Sequence, residues 1–160
     1  MSYKPMKICV LNLSGNVGKT TLTAHLLGAF RPQAKILSVE SINNGESTNI
    51  DSLNVEELDA SRFRDIYREL MMADDLIVDV GASNVATFMD ELFKYRSAIG
   101  EFDLIVVPTV PADKQQKDTI TTIESLHELG FAGAKVRVVF NQHQGGETLG
   151  VCRSQPFESW

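Results

Sequence analysis

The sequence predicts an α/β fold, a mainly parallel sheet with helices on both faces, and three observations carry that expectation. Mostly apolar runs recur at Ile8–Leu11, Lys35–Val39, Leu76–Gly81, Phe102–Val107 and Val136–Phe140, each with the length of a buried strand. Stretches between them place apolar residues at helical spacing. The first strand runs into the first helix through a small, polar, Gly-containing junction, Ser14-Gly15-Asn16-Val17-Gly18-Lys19-Thr20-Thr21. Strands alternating with helices close most simply as right-handed crossovers, with the strands ordered 2-3-1-4-5.

Met1 to Met6 reads as a frayed arm. The first helix, about Lys19 to Phe30, is expected to bury Leu22, Leu26 and Phe30, and Pro32 discourages its continuation. After the second strand, Glu40 opens a polar stretch through Asn49, the kind of loop in which switch regions sit. A second helix begins near Ser61 and buries Phe63, Ile66, Tyr67, Leu70 and Met71, while Arg62, Arg64 and Arg68 share its solvated side with Asp65 and Glu69. Asp74 and Asp75 form the polar start of the third strand. From Asn84 to about Ser97, Val85, Phe88, Met89, Leu92 and Phe93 make a third core-facing stripe. The fourth strand is closed by Pro108. The next helix puts Ile120, Ile123, Leu126 and Leu129 inside and stops at Gly130. Residues 142–160 show no periodicity and stay unplaced in a single domain spanning 1–160.

The chemistry starts at the junction. Gly15 and Gly18 let peptide N–H groups turn inward around an anion, and the helix that follows adds its own unpaired N–H groups. Lys19 can then reach β and γ phosphates, and Thr20 is placed to ligate Mg²⁺. The general pattern Gly-x-x-x-x-Gly-Lys-[Ser/Thr] would have Gly where this chain has Leu13. The second landmark is Leu76-Ile77-Val78-Asp79-Val80-Gly81, an apolar strand that ends in a carboxylate suited to the metal side of a phosphate site. Asp79 and Thr20 are therefore the metal candidates. An Asn-Gln-His run, 141–143, stands where GTP-selective proteins commonly carry Asn-Lys-x-Asp, so adenine is the expected base.

Composition sets the limits. Hydrophobic residues make up 43% and charged residues 22%, the mix of an ordinary globular chain with a core of its own. A net charge of −6 argues against coating nucleic acid by bulk electrostatics, leaving any DNA contact local or indirect. Cys9 and Cys152 have no metal-ligand spacing and fit a reducing compartment. The N-terminal apolar run is too short to span a membrane, so a cytoplasmic protein is expected. His25 lacks companions at ligand spacing, and His127 reads as a surface residue of its helix.

The loop from Asn12 to Thr21, with Asp79, resembles the variant phosphate loop of ParA/MinD-type partition ATPases, whose pattern is Lys-Gly-Gly-x-Gly-Lys-[Ser/Thr]-[Ser/Thr]. The resemblance covers about Lys7 to Asn141. It implies a P-loop NTPase fold, ATP and Mg²⁺ as cofactors, and Lys19, Glu40 and Asp79 as the catalytic set. Glu40 stands for an aspartate that helps position the attacking water. It also implies nucleotide contacts from Ser14 through Thr21 and from Pro108 and Asn141, the last at the base; an Asn at a strand end is equally a turn former. Ser14 replaces the family's signature lysine and Asn16 its second Gly, which bears on hydrolysis more than on binding. The loop and the Val-Glu-Ser strand end look most like StbB/TraL-type plasmid-stability proteins of conjugative plasmids. The implied partners are ATP or ADP, a plasmid-encoded DNA-binding protein, and a second copy in a nucleotide-dependent homodimer. Family members continue beyond the fifth strand, so the chain reads as a minimal or truncated member. A small-molecule kinase and a nucleotide-free interaction module remain alternatives on the same fold.

Overall fold

The computed structural model describes residues 4–41 and 55–142. Six parallel strands form one sheet in the order β3-β2-β4-β1-β5-β6. They are β1 (Lys7–Val10), β2 (Lys35–Val39), β3 (Val55–Leu58), β4 (Leu76–Val80), β5 (Leu104–Thr109) and β6 (Val136–Phe140). Without β3, this is the order expected from sequence. β3 escapes prediction because Val55-Glu56-Glu57-Leu58, with two acids at its centre, offers no apolar run. As an edge strand it pairs on one side with β2, and Glu56 meets Lys35 at 2.6 Å. The polar stretch 42–49 and the tail from 143 lie outside the described residues.

The helices are α1 (Lys19–Thr21), which runs on as a wider i→i+5 segment (Leu22–Gly28), then α2 (Phe63–Met72), α3 (Val85–Lys94), α4 (Ser97–Glu101) and α5 (Asp113–Glu128). Crossover handedness sorts them by face. The β1-to-β2 connection runs one way across the sheet, whereas those into β4, β5 and β6 run the other way. Right-handedness therefore sends α1 to one face and α2, α3 and α5 to the opposite one. The two cores agree. Cys9, Leu37, Val78 and Ile105 pack with Phe63, Phe88, Leu92 and Leu126 on the larger face. Ile8, Val10, Ile36 and Ile77 meet Leu22 and Leu27 on the smaller. Phe63 anchors the large core, edge-on to Phe88 at 5.5 Å and against Tyr95 at 5.3 Å.

Several core expectations are corrected. Leu26 and Phe30 are exposed, and Thr23, Ala24 and Gly28 are buried in their place. Each i→i+5 turn takes more residues than an α-turn, so a stripe drawn at 3.6 residues per turn rotates off the sheet. On α5 the inward face is Thr119, Thr122, Leu126 and Leu129, and Ile120 is 57% exposed. Phe93 also leaves the core and carries the Arg96 guanidinium over its ring at 4.9 Å. Met71 lies at the exposed end of its stripe. Pro108 does not close its strand; β5 continues through it to Thr109. Gly130 does stop α5, in the left-handed region at φ 98°.

Lys4 to Met6 is tied down instead of frayed. Asp75 Oδ1 accepts from Met6 N at 3.0 Å and from Arg31 Nη2 at 2.7 Å, and Arg31 also donates to Lys4 O. Both charged side chains are largely covered, so removing the Asp75 carboxylate takes away a little-screened ion pair together with the three hydrogen bonds its Oδ1 accepts from Met6 N and from Arg31 Nε and Nη2. Asp75→Ala is expected to lower unfolding stability by about 3 kcal/mol, measured by urea denaturation. A loss no larger than about 0.5 kcal/mol, the scale of an exposed pair, would contradict the anchoring role.

Candidate functional site

The site lies at the carboxyl ends of β1, β2 and β4, where the first connection leaves β1 against the direction of those on its other side. This is the switch point at which open α/β sheets bind ligands. Register aligns the pieces: Asp79 is level with Val10 of β1 and Ser38 of β2.

Beyond β1 the chain turns through Asn12 to Gly18 and enters α1. The N–H groups of Leu13 and Ser14 are used internally, donating to Thr122 Oγ1 at 3.1 Å and Asn12 Oδ1 at 2.9 Å. Among the described residues, the next four N–H groups, of Gly15, Asn16, Val17 and Gly18, donate to no protein acceptor. Two left-handed residues shape this run, Asn16 at φ 58° and Gly18 at φ 85°. Asn tolerates that region, whereas a β-carbon at Gly18 would also collide with the Asn141 side chain. A run of N–H groups without protein acceptors, bent by left-handed residues, is the kind of backbone that can nest an anion. Lys19, 8% exposed, folds into this loop, its Nζ donating to Ser14 O at 2.7 Å and more distantly to Asn12 O. Burial lowers the Lys19 pKa, and Asp79 and Glu40 partly restore it.

Below the loop, Asp79 is almost wholly buried in β4. Burial pushes its carboxyl up to about 6, against the pull of Lys19 and of the Thr20 and Thr23 hydroxyls, with Glu40 adding to the rise. Thr23 Oγ1 is buried there and completes no hydrogen bond among the described residues. A buried carboxylate held reluctantly as an anion, with the Thr20 hydroxyl beside it and the Thr23 hydroxyl uncommitted among the described residues, is a donor set that fits a hard divalent cation. Among the described residues no group of three or more His, Cys, Asp or Glu could cage a metal. Mg²⁺ held by Thr20 and Asp79 would draw its remaining ligands from water and phosphate, its usual habit.

A cleft of about 410 Å³ opens over the loop, lined by Gly15, Asn16, Gly18, Lys19, Thr20, Thr21, Glu40, Gly81, Ala82 and Gln142. Glu40 ends β2 at its rim, packed close enough to Gly81 that a β-carbon there would press on Val39 O and the Glu40 side chain. The remaining candidates stand behind this wall. Val17 is buried and its carbonyl accepts from Asn141 Nδ2 at 3.2 Å, which braces the loop from the end of β6. Ser14 is buried and presents its carbonyl to Lys19. Pro108 is not at the cleft; it is buried in β5, with its carbonyl accepting from Asn12 Nδ2.

No family model matches the sequence, and no curated protein does. Solved structures match in fold: the cell division protein MinD of Aquifex aeolicus superposes with a TM-score of 0.54 at 16% identity, over 87% of this chain and 70% of that one. The chain has the MinD-type P-loop fold. The same fold links it to a protein described as a plasmid partition protein of Borrelia burgdorferi, bound to AMPPNP, with a TM-score of 0.56 at 15% identity over 91% and 79% of the two chains. It also links it to the kinase domain of the Escherichia coli tyrosine kinase ETK, with a TM-score of 0.52 at 11% identity over 94% and 74%. Among the described residues no helix is long and apolar enough to cross a membrane.

Sequence reasoning passed over Asn12, Thr23, Thr119 and Thr122 as parts of the site. One signal was present: Asn12 is a lone polar residue directly after an apolar strand. The threonines of α5 gave none, because the isoleucines beside them drew the helical stripe one position away.

The Asp79 carboxyl carries a pH signature. Its folded pKa of about 6 lies above the ordinary 3.8, so the folded chain holds a proton that the unfolded chain has lost between those values. The stabilisation is complete below about pH 3.8 and gone above about pH 6, where the buried charge costs about 3 kcal/mol. Asp79→Asn should therefore be more stable than the parent at pH 7.5 by up to about 3 kcal/mol, and equal to it at pH 4. Urea unfolding across that range decides; parallel profiles would contradict the assigned cause.

Proposed function

We propose that this chain is a Mg·ATP-binding P-loop switch that hydrolyses ATP slowly by itself and serves plasmid stability, partition or conjugation. The single observation behind the reading is the loop from Gly15 to Gly18. Its four N–H groups have no protein acceptor among the described residues, and Gly15, Asn16 and Gly18 line a cleft with Lys19 and Thr20, with Asp79 buried beneath. That geometry suits a polyphosphate with its cation. The match in fold to a partition protein bound to AMPPNP, and to MinD, supports the nucleotide and the biological setting together.

Each group has a physical task. The N–H groups and Lys19 would neutralise phosphate charge, while Thr20 and Asp79 would hold Mg²⁺, which would supply further positive charge there. Glu40, exposed at the rim, is the candidate for orienting water. Asn141, joined to the loop through Val17, is the candidate for the base. Catalysis of phosphoryl transfer rests mainly on positioned positive charge, and one further cation at the γ-phosphate can be worth about 10³–10⁵ in rate. Ser14 supplies none, so the missing charge would come from a partner protein or a second copy of the chain. A plasmid-encoded DNA-binding partner is the favoured candidate, since a net charge of −6 disfavours direct DNA coating.

Calorimetric titration with ATP, GTP and a non-hydrolysable ATP analogue, with and without Mg²⁺, tests the reading. ATP should bind in preference to GTP, and Lys19→Ala should weaken binding about 10- to 100-fold with the fold intact. Parent turnover should be slow and Ser14→Lys faster. Fast, concentration-independent phosphate release by the parent would contradict the slow-switch reading. Release that requires an added acceptor would favour the kinase alternative, and a lack of binding would favour a nucleotide-free interaction module.

A further inference from the structure

A second polar cluster lies behind the phosphate loop, between β1 and α5, where the fold would otherwise place apolar contacts. Asn12 is wholly buried yet uses its whole carboxamide. Nδ2 donates to Pro108 O at 2.9 Å and to Thr119 Oγ1 at 2.8 Å, while Oδ1 accepts from Ser14 N at 2.9 Å and faces Thr122 Oγ1 at 3.3 Å. The two threonines turn their own protons back along the helix, to Gln115 O and Asp118 O. That leaves their lone pairs as acceptors: Thr119 accepts from Asn12 Nδ2, with Thr109 Oγ1 also at 2.9 Å, and Thr122 accepts from Leu13 N at 3.1 Å. Three residues apart, the two hydroxyls share one face of α5, so a single helix rotation sets both.

Burying a carboxamide and two hydroxyls forgoes apolar contact and requires every polar atom to be matched. The arrangement does more than satisfy itself. It consumes the N–H groups of Leu13 and Ser14 on the side away from the cleft, so the free run begins at Gly15. Leu13 adds a second attachment. Where the general pattern has glycine, its side chain packs on the large core and lines a cleft between α3 and α5 with Met89, Phe93 and Leu129. A glycine has no such anchor. At this one residue the loop is fixed to α5 by its backbone and to the α3/α5 groove by its side chain.

We infer that Asn12, Thr119 and Thr122 are positioning residues that clamp the outgoing loop to α5, so that the N–H groups of Gly15 to Gly18 converge on the cleft. Anion affinity then depends on the seat of α5 as well as on the loop's own residues. Only the identity of the anion rests on the nucleotide reading.

The test compares the full chain with Thr122→Val, Thr119→Val and the hydroxyl-retaining Thr122→Ser. In the nucleotide-free proteins, amide hydrogen exchange at Leu13 and Ser14 should be at least tenfold faster in Thr122→Val, with the amides of β4 unchanged and Thr122→Ser close to the parent. Affinity for Mg·ATP and for inorganic pyrophosphate should fall about tenfold in Thr122→Val and Thr119→Val and be retained in Thr122→Ser. Unchanged exchange at Leu13 and Ser14 would overturn the clamp, as would a lower melting temperature with unchanged affinity. If Thr122→Val does not fold, Thr119→Val decides by the same readouts. A parent that binds neither ATP nor pyrophosphate would refute the proposed function, and the exchange comparison would still decide the clamp.

Discussion

Four consecutive peptide N–H groups, from Gly15 to Gly18, have no protein acceptor among the described residues, and side by side their partial charges repel one another. Much of this molecule can be understood as what keeps Gly15 to Gly18 in that state. Two left-handed residues bend the run, and only glycine fits at Gly18, against Asn141. Braces hold both ends: the Asn12 junction with α5 where the chain leaves β1, and the Asn141 bond to Val17 O where it reaches α1. Lys19 and the buried Asp79 then set the electrostatics underneath.

The same constraint explains why stability and function pull apart here. Asp79 occupies the middle of a fully buried strand end, where a neutral residue would be cheaper, and its raised pKa records the cost of placing a carboxylate beneath the loop. Lys19 is pulled the other way by the same burial. A cation and a polyphosphate would relieve both, since each supplies the charge that the apolar surroundings withhold. Sites of this kind are stabilised by what they bind.

The loop and Asp79 were legible in the sequence because the chemistry dictates residue types within a short span: glycine for close approach, lysine and threonine after it, an acid at the end of an apolar strand. Strand order was legible for a related reason, since handedness leaves few arrangements once five strands and their helices are marked. What stayed hidden had physical causes. β3 is acidic because an edge strand needs partners on one side alone. The α1 stripe was misplaced by its i→i+5 turns, which no hydrophobic period encodes. Asn12 and its partners on α5 are separated by more than a hundred residues, and single polar positions give no periodicity to follow.

The anion site proposed for this chain is the run of N–H groups from Gly15 to Gly18. It is probed by titrating the isotope-labelled chain with Mg²⁺ and a non-hydrolysable ATP analogue while following backbone amide resonances. The largest shifts are expected at Gly15, Asn16, Val17 and Gly18, moving together at one affinity, with Leu13 and Ser14 moving far less because their N–H groups already have acceptors. Shifts centred elsewhere, or none at these four amides at saturating ligand, would contradict it.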